Sequence, residues 1–230
     1  MLPQINSPTF KVEVPSLGRE IMMRPFLVKE EKILLLAKQS GDKDQIFLSL
    51  NQVINNCVID EDIDISKLPY YDIEYLFVQL RINSIGGSVD IELKDPDTDS
   101  KVKATVDLND IVINKPTKKN NIKLNETSAL VMKYPTLDEI SKVSTDNDVQ
   151  AFFDTLKYSI HSVFHDDQSY EFSSYSHDER DEFIDSLSVA DIEKCKEFIA
   201  EMPSVEVSAH WLTVDGEKKS TKLKGINSFF

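Results

Sequence analysis

The sequence predicts an α+β protein: an N-terminal hairpin plus three helices and a second β-hairpin, followed by a mainly helical C-terminal half closed by a β-hairpin. Three observations carry this. Apolar and polar residues alternate over 10–14 and again over 89–106, the period of half-buried strands. Apolar residues recur every three or four positions over 43–57, 70–84 and 147–164, the period of amphipathic helices. Asp215-Gly216, between two alternating segments near the end, is a strong hairpin turn signal.

The elements follow in order. Phe10, Val12 and Val14 form the apolar side of a first strand, "PSLGRE" turns, and "IMMR" returns until Pro25 stops it. "FLVKEEKILLLAKQSG" reads as a short helix ended by Gly41. It carries more apolar residues than one stripe needs, so either two sides are buried or one is kept for a partner. Ile46, Phe47, Leu50, Val53, Ile54 and Cys57 make the stripe of a second helix. "YYDIEYLFVQLRINS" makes a third, with Ile73, Leu76, Phe77 and Leu80 facing inward. After Gly86-Gly87 the period changes to two, and "KDPDTDSK" joins two strands.

"NKPTKKNN" is polar and aperiodic, which divides the chain into a 1–114 α+β domain, a 115–135 linker with a short hairpin, and a 136–230 helical domain ending in the last hairpin. Thr136 with Glu139, and Ser176 with Glu179, have capping-box spacing at helix starts. The longest helix is expected over 147–164, and two more near 177–187 and 189–202, the last ended by Pro203.

Composition narrows the function. The chain has 230 residues and a net charge of −14, which repels nucleic acid and anionic lipid and favours basic partners. Two distant cysteines without a CxxC fit a reducing compartment. The N-terminus lacks the charged and apolar regions of a signal peptide, and no apolar run is long enough to span a bilayer, so the protein is expected in the cytosol of the cell that makes it.

No chemical motif stands out. Asp95, Asp97 and Asp99 mimic the start of a calcium loop, but Ser100 stands at loop position six and Val106 at position twelve, where glycine and glutamate are needed. That stretch is expected to be an acidic hairpin tip. His161 and His165 are four apart on the expected long helix, but Ser162 replaces the glutamate of a zinc hydrolase motif. A metal-dependent hydrolase using these histidines and nearby carboxylates is the alternative reading. Nucleophile-elbow and phosphate-loop patterns are missing. No catalytic, cofactor-binding or metal residue is assigned, and the chain reads as a protein that binds proteins rather than as an enzyme.

Four segments carry a resemblance: residues 2–42 around "PSLGREIMMRPFLVKEEK", "LPYYDIEYLFVQLR", "MKYPTLDEI" and the final "GINSFF". They resemble the baseplate hub proteins of T-even-like contractile-tail phages. The resemblance implies a non-enzymatic tail protein, a component or assembly chaperone of the central hub. It implies contact with other hub proteins or the tape-measure protein, first in the host cytoplasm and then at the tail baseplate. It brings no catalytic residues to carry over, and the charge and composition above leave no cofactor, nucleic acid or membrane expected. Tyr70, Tyr71 and Tyr75, off the apolar stripe of the third helix, and Phe229 and Phe230 are the expected partner contacts, because aromatic side chains favour interfaces.

Overall fold

A computed structural model describes residues 7–95, 100–114, 119–144, 147–213 and 216–225, the side chain of Lys43 apart. Among them are seven α-helices and eleven strands in three sheets, so the chain is a mixed α/β protein. It divides into two compact units, Met1–Asn114 with Ser204–Phe230, and Lys115–Pro203.

The first unit starts with β1 (Phe10–Val14) and β2 (Arg19–Met23), paired from Phe10 opposite Met23 to Val14 opposite Arg19. Their alternation buries Val12, Val14, Ile21 and Met23 on one side. Helices α1 (Val28–Ser40) and α2 (Lys43–Cys57) form a helical hairpin, with Gly41 at φ 66° closing α1. Helix α3 (Tyr70–Ile85) is apolar nearly all round and buries Ile73, Leu76, Phe77, Val78 and Leu80. A helix of that kind belongs at the centre. Burial of side chains such as Leu76 and Leu80 contributes ~1.5–3 kcal/mol each.

The remaining strands of this unit make one antiparallel sheet. Strands β3 (Ser88–Lys94) and β4 (Lys101–Asp107) form the expected hairpin, with β5 (Val112–Ile113) beyond it. Strand β10 (Val205–Leu212) returns from far along the chain, placing His210 opposite Thr105 on β4 and Val205 opposite Ile113 on β5. Strand β11 (Lys218–Lys224) pairs with β10 at the edge, where its lysines discourage further pairing. Val106, Leu108, Val207, Ala209 and Trp211 share one core cluster with Val78 of α3.

Asp95 departs from the solvated tip expected for "KDPDTDSK". It is buried and accepts from Trp211 Nε1 at 3.2 Å and Lys219 Nζ at 3.5 Å, so it braces the sheet. Asp97, Asp99 and Asp215 lie outside the described residues.

The second unit holds β6 (Asn121–Lys123), β7 (Ser128–Met132), β8 (Ile160–His165) and β9 (Gln168–Glu171) in one antiparallel sheet in that order. Helices α4 (Leu137–Ser141), α5 (Asp148–Ser159), α6 (His177–Asp185) and α7 (Val189–Ala200) complete it. Both capping boxes form: Thr136 N donates to Glu139 at 2.9 Å and Ser176 N to Glu179 at 2.8 Å. Leu130, Met132, Leu156, Ile160, Cys195 and Phe198 pack in its core.

This unit corrects the expected fold class, because the second half is not mainly helical. The helix expected over 147–164 ends at Ser159, and residues 160–165 are a strand. Positions i and i+4 share a face in a helix and in a strand alike, so Leu156, Ile160 and Phe164 suit both periods. Pairing with β7 from Ser128–His165 to Met132–Ile160 decides it, since β-branched Ile160 and Val163 fit a ladder. Asp166 and Asp167 then adopt φ of 45° and 63° and form a two-residue hairpin turn into β9. The final hairpin also belongs to a larger sheet, since β10 completes a layer begun a hundred residues earlier.

Candidate functional site

Among the described residues, an open cleft of about 710 Å³ lies in the second unit. Its floor is one face of the sheet. Ser128 is paired with His165 and Val163 with Tyr170, so these four side chains point the same way. The opposite wall comes from Phe172, Tyr175, Phe183 and Leu187, where a 3-10 turn (Phe172–Ser174), α6 and the α6–α7 turn meet. Phe172 and Phe183 meet edge to face at 5.7 Å and stiffen that wall. Tyr170 and Tyr175 are exposed although both line the cleft.

Three charges line it: Glu179, Arg180 and Asp191. Glu179 caps α6 by accepting from Ser176 N and Oγ, which holds its carboxyl below the usual range. Lys194 at 2.7 Å and the Ser188 hydroxyl do the same for Asp191. Arg180 folds along its own helix, with Nε donating to Ser176 O at 3.4 Å.

One arrangement in this cleft has the residue types of a hydrolase. Ser128 Oγ lies 2.8 Å from His165 Nδ1, and Asp166 Oδ2 lies 3.3 Å from His165 Nε2. His165 is 52% exposed and Asp166 67%, so water screens their interaction to ~1 kcal/mol or less. That is little support for a general base. The zinc alternative fails on geometry. His161 and His165 stand four residues apart on a strand, separated by ~13 Å at 3.3 Å per residue, too far to share one ion. Among the described residues no group of three His, Cys, Asp or Glu is placed to hold a metal.

The aromatic residues expected to meet partners are placed as follows. Tyr70 is half-buried, its ring edge-on to Phe47 at 6.0 Å, and burial beside Glu74 pushes its phenol well up. Tyr75 packs against the sheet cluster of the first unit, and Tyr71 is half-buried. Phe229 and Phe230 lie outside the described residues. Both thiols are buried, which pushes Cys57 and Cys195 each up to about 11 and leaves them inert at neutral pH.

Sequence reasoning left open whether both apolar sides of α1 are buried or one is kept for a partner. Leu34 and Ala37 face inward with a buried Glu30, whereas Leu35 and Leu36 are 59% and 67% exposed, next to exposed Val28. Leu48 on α2 is exposed as well. The apolar excess over 26–37 was the available signal, and its second side stays open. Glu30 is held at the base of α1 by Arg24 Nη2 at 3.0 Å and by Leu27 N at 2.8 Å. Burial would raise its carboxyl, but these donors and Lys29 hold it below the usual range.

Among the described residues, both units expose large apolar side chains, such as Leu35 and Leu36 in the first and Tyr170 and Val189 in the second. Against this background, a family profile described as T4 bacteriophage base plate protein matches residues 7–230. The chain belongs to this family. It is thus a T4-type phage base plate protein, in line with the family resemblance carried by segments along the whole chain. No curated protein and no solved structure matches it. No helix among the described residues is long and apolar enough to cross a membrane.

Proposed function

We propose that this base plate protein is a non-enzymatic component or assembly factor of the central baseplate hub. It acts by protein–protein contact with other hub proteins or the tape-measure protein, during assembly in the host cytoplasm. Membership of the family over nearly the whole chain is the observation that carries the reading. The exposed Leu35 and Leu36 and the open cleft support it, since apolar surface of this kind favours association. Tyr70, Tyr71 and Tyr75, together with Phe229 and Phe230, remain proposed contacts; the half-buried tyrosines present only part of each ring.

The test is mass spectrometry of purified particles, paired with co-expression and co-purification against each hub protein and the tape-measure protein. A hub component is recovered at fixed stoichiometry in particles; an assembly factor is missing from particles yet captures a hub protein. A chain that is missing from particles and captures no tail protein defeats the proposal.

A further inference from the structure

We propose that the cleft of the second unit is a docking groove for a partner segment that combines apolar or aromatic side chains with lysine or arginine. This rests on the reading that the chain works by protein contact, and it names the chemistry of one contact. The cleft is about 710 Å³, within the ~300–1,000 Å³ range of pockets that bury a drug-sized ligand, and so has room for a few side chains. Val163, Leu187 and the Phe172–Phe183 pair supply its apolar surface. Tyr170 and Tyr175 are exposed where they line it, and aromatic rings attract cations as well as apolar groups.

Charge selects the occupant. Residues 115–203 contain 10 Lys and Arg against 18 Asp and Glu. Helix α6, the cleft wall, reads HDERDEFID, five carboxylates around a single arginine. That arginine, Arg180, is turned back onto Ser176 O, and its neighbours at three and four positions are His177, Phe183, Ser176 and Ile184. Glu179 and Asp191 line the groove itself as carboxylates, Asp191 already paired with Lys194 at 2.7 Å, so Glu179 and the other carboxylates of α6 set the field. An acidic segment is therefore repelled, and so is a second copy of this chain, with its own net charge of −14. A segment with Lys or Arg flanking Leu, Ile or aromatic residues satisfies both the apolar wall and the field.

A displayed library of random dodecapeptides, selected on the purified full chain, tests this. Enriched peptides are expected to have net positive charge together with aromatic or aliphatic residues. Binding of a synthesised winner should weaken about fivefold or more between 50 and 300 mM salt, because rim charges are screened. The Tyr170→Ala/Tyr175→Ala variant should weaken it about tenfold; both side chains are exposed, so the fold should be kept. Glu179→Gln/Asp191→Asn retains the cap acceptors while removing two charges, and should cost about two- to tenfold at low salt. Matching circular dichroism and melting temperatures control for folding. Enrichment of acidic or neutral peptides, no enrichment, or unchanged binding by both folded variants overturns the proposal. The readout uses the purified chain alone, so it fails or succeeds separately from recovery of hub partners.

Discussion

The Arg24–Glu30 pair is the most consequential polar contact in the first unit, and Arg24→Met tests it. Glu30 is fully buried on α1, and Arg24 donates to it while also reaching Asn56 O at 2.8 Å and Pro25 O at 3.0 Å. One side chain thus ties the end of β2, the start of α1 and the end of α2. Removing one partner of a buried pair costs ~3–5 kcal/mol, and Arg24 is 19% exposed, so the lower end, ~3 kcal/mol, is expected. Replacing both partners, Arg24→Met/Glu30→Met, should cost only ~1–2 kcal/mol, chiefly the lost acceptor for Leu27 N. Trp211, the sole tryptophan, lies in the same unit, so urea unfolding followed by its fluorescence reports the relevant core. A loss of ~3 kcal/mol moves the midpoint by ~1.5 M for a slope of ~2 kcal/mol/M.

The pH dependence supplies a second handle on the same pair. Glu30 titrates low in the folded protein, so its contribution is present above the ordinary carboxylate range and is lost as pH falls through its folded value. Without Arg24, burial dominates and the folded carboxyl binds its proton more tightly than the unfolded one. The deficit of Arg24→Met should then be largest at neutral pH and shrink toward pH 5. A deficit below ~1 kcal/mol, or a double variant as unstable as the sum of the singles, would refute the buried-pair reasoning.

Asp72 presents the opposite sign: it is buried, accepts from Ser16 N at 3.0 Å, and its Oδ2 has no partner among the described residues. Burial raises its carboxyl, so its contribution is complete below the unfolded range and is lost as pH rises through the folded value. Asp72→Asn should therefore gain stability relative to wild type between pH 4 and 7, and parallel stability curves from chemical unfolding would contradict this. Asp167→Gly should raise stability by ~0.5–1 kcal/mol in thermal unfolding, because glycine adopts the φ of 63° without a Cβ clash; a lower melting temperature counts against the turn assignment. Leu156→Ala should cost ~2–5 kcal/mol by far-UV circular dichroism, since Leu156 is fully buried in the second core, and a cost below ~1 kcal/mol would mean that this site is not packed as described. Cys57 and Cys195 should react with a thiol reagent at pH 8 only on unfolding, and rapid reaction of two thiols in the native protein would disprove their burial.

Much of the first unit was legible because its signals are local. The alternation of Val12 and Val14, the stripe of α2 and the inward residues of α3 each repeat within a dozen residues, and burial follows them. The two capping boxes were legible for the same reason: their four-residue spacing contains the whole hydrogen-bond pattern. Strand β8 was not, because Ile160 and Phe164 satisfy the helical period and only the partner strand β7 tells the two apart. The cleft was invisible for a related reason. Ser128, Val163 and Tyr170 are brought side by side by register, which no short window contains.

What the sequence determined by itself was therefore the nature of the pieces: where helices start, which faces are apolar, how acidic the surface is, and the phage-tail affinity of the whole. Only the tertiary structure decided how they are shared out. It placed the late strand β10 beside β4, buried Asp95 against Trp211, and left one side of α1 open. Local propensities act over a few residues, whereas pairing and burial depend on surfaces brought together from across the chain, and there packing overrides the local period.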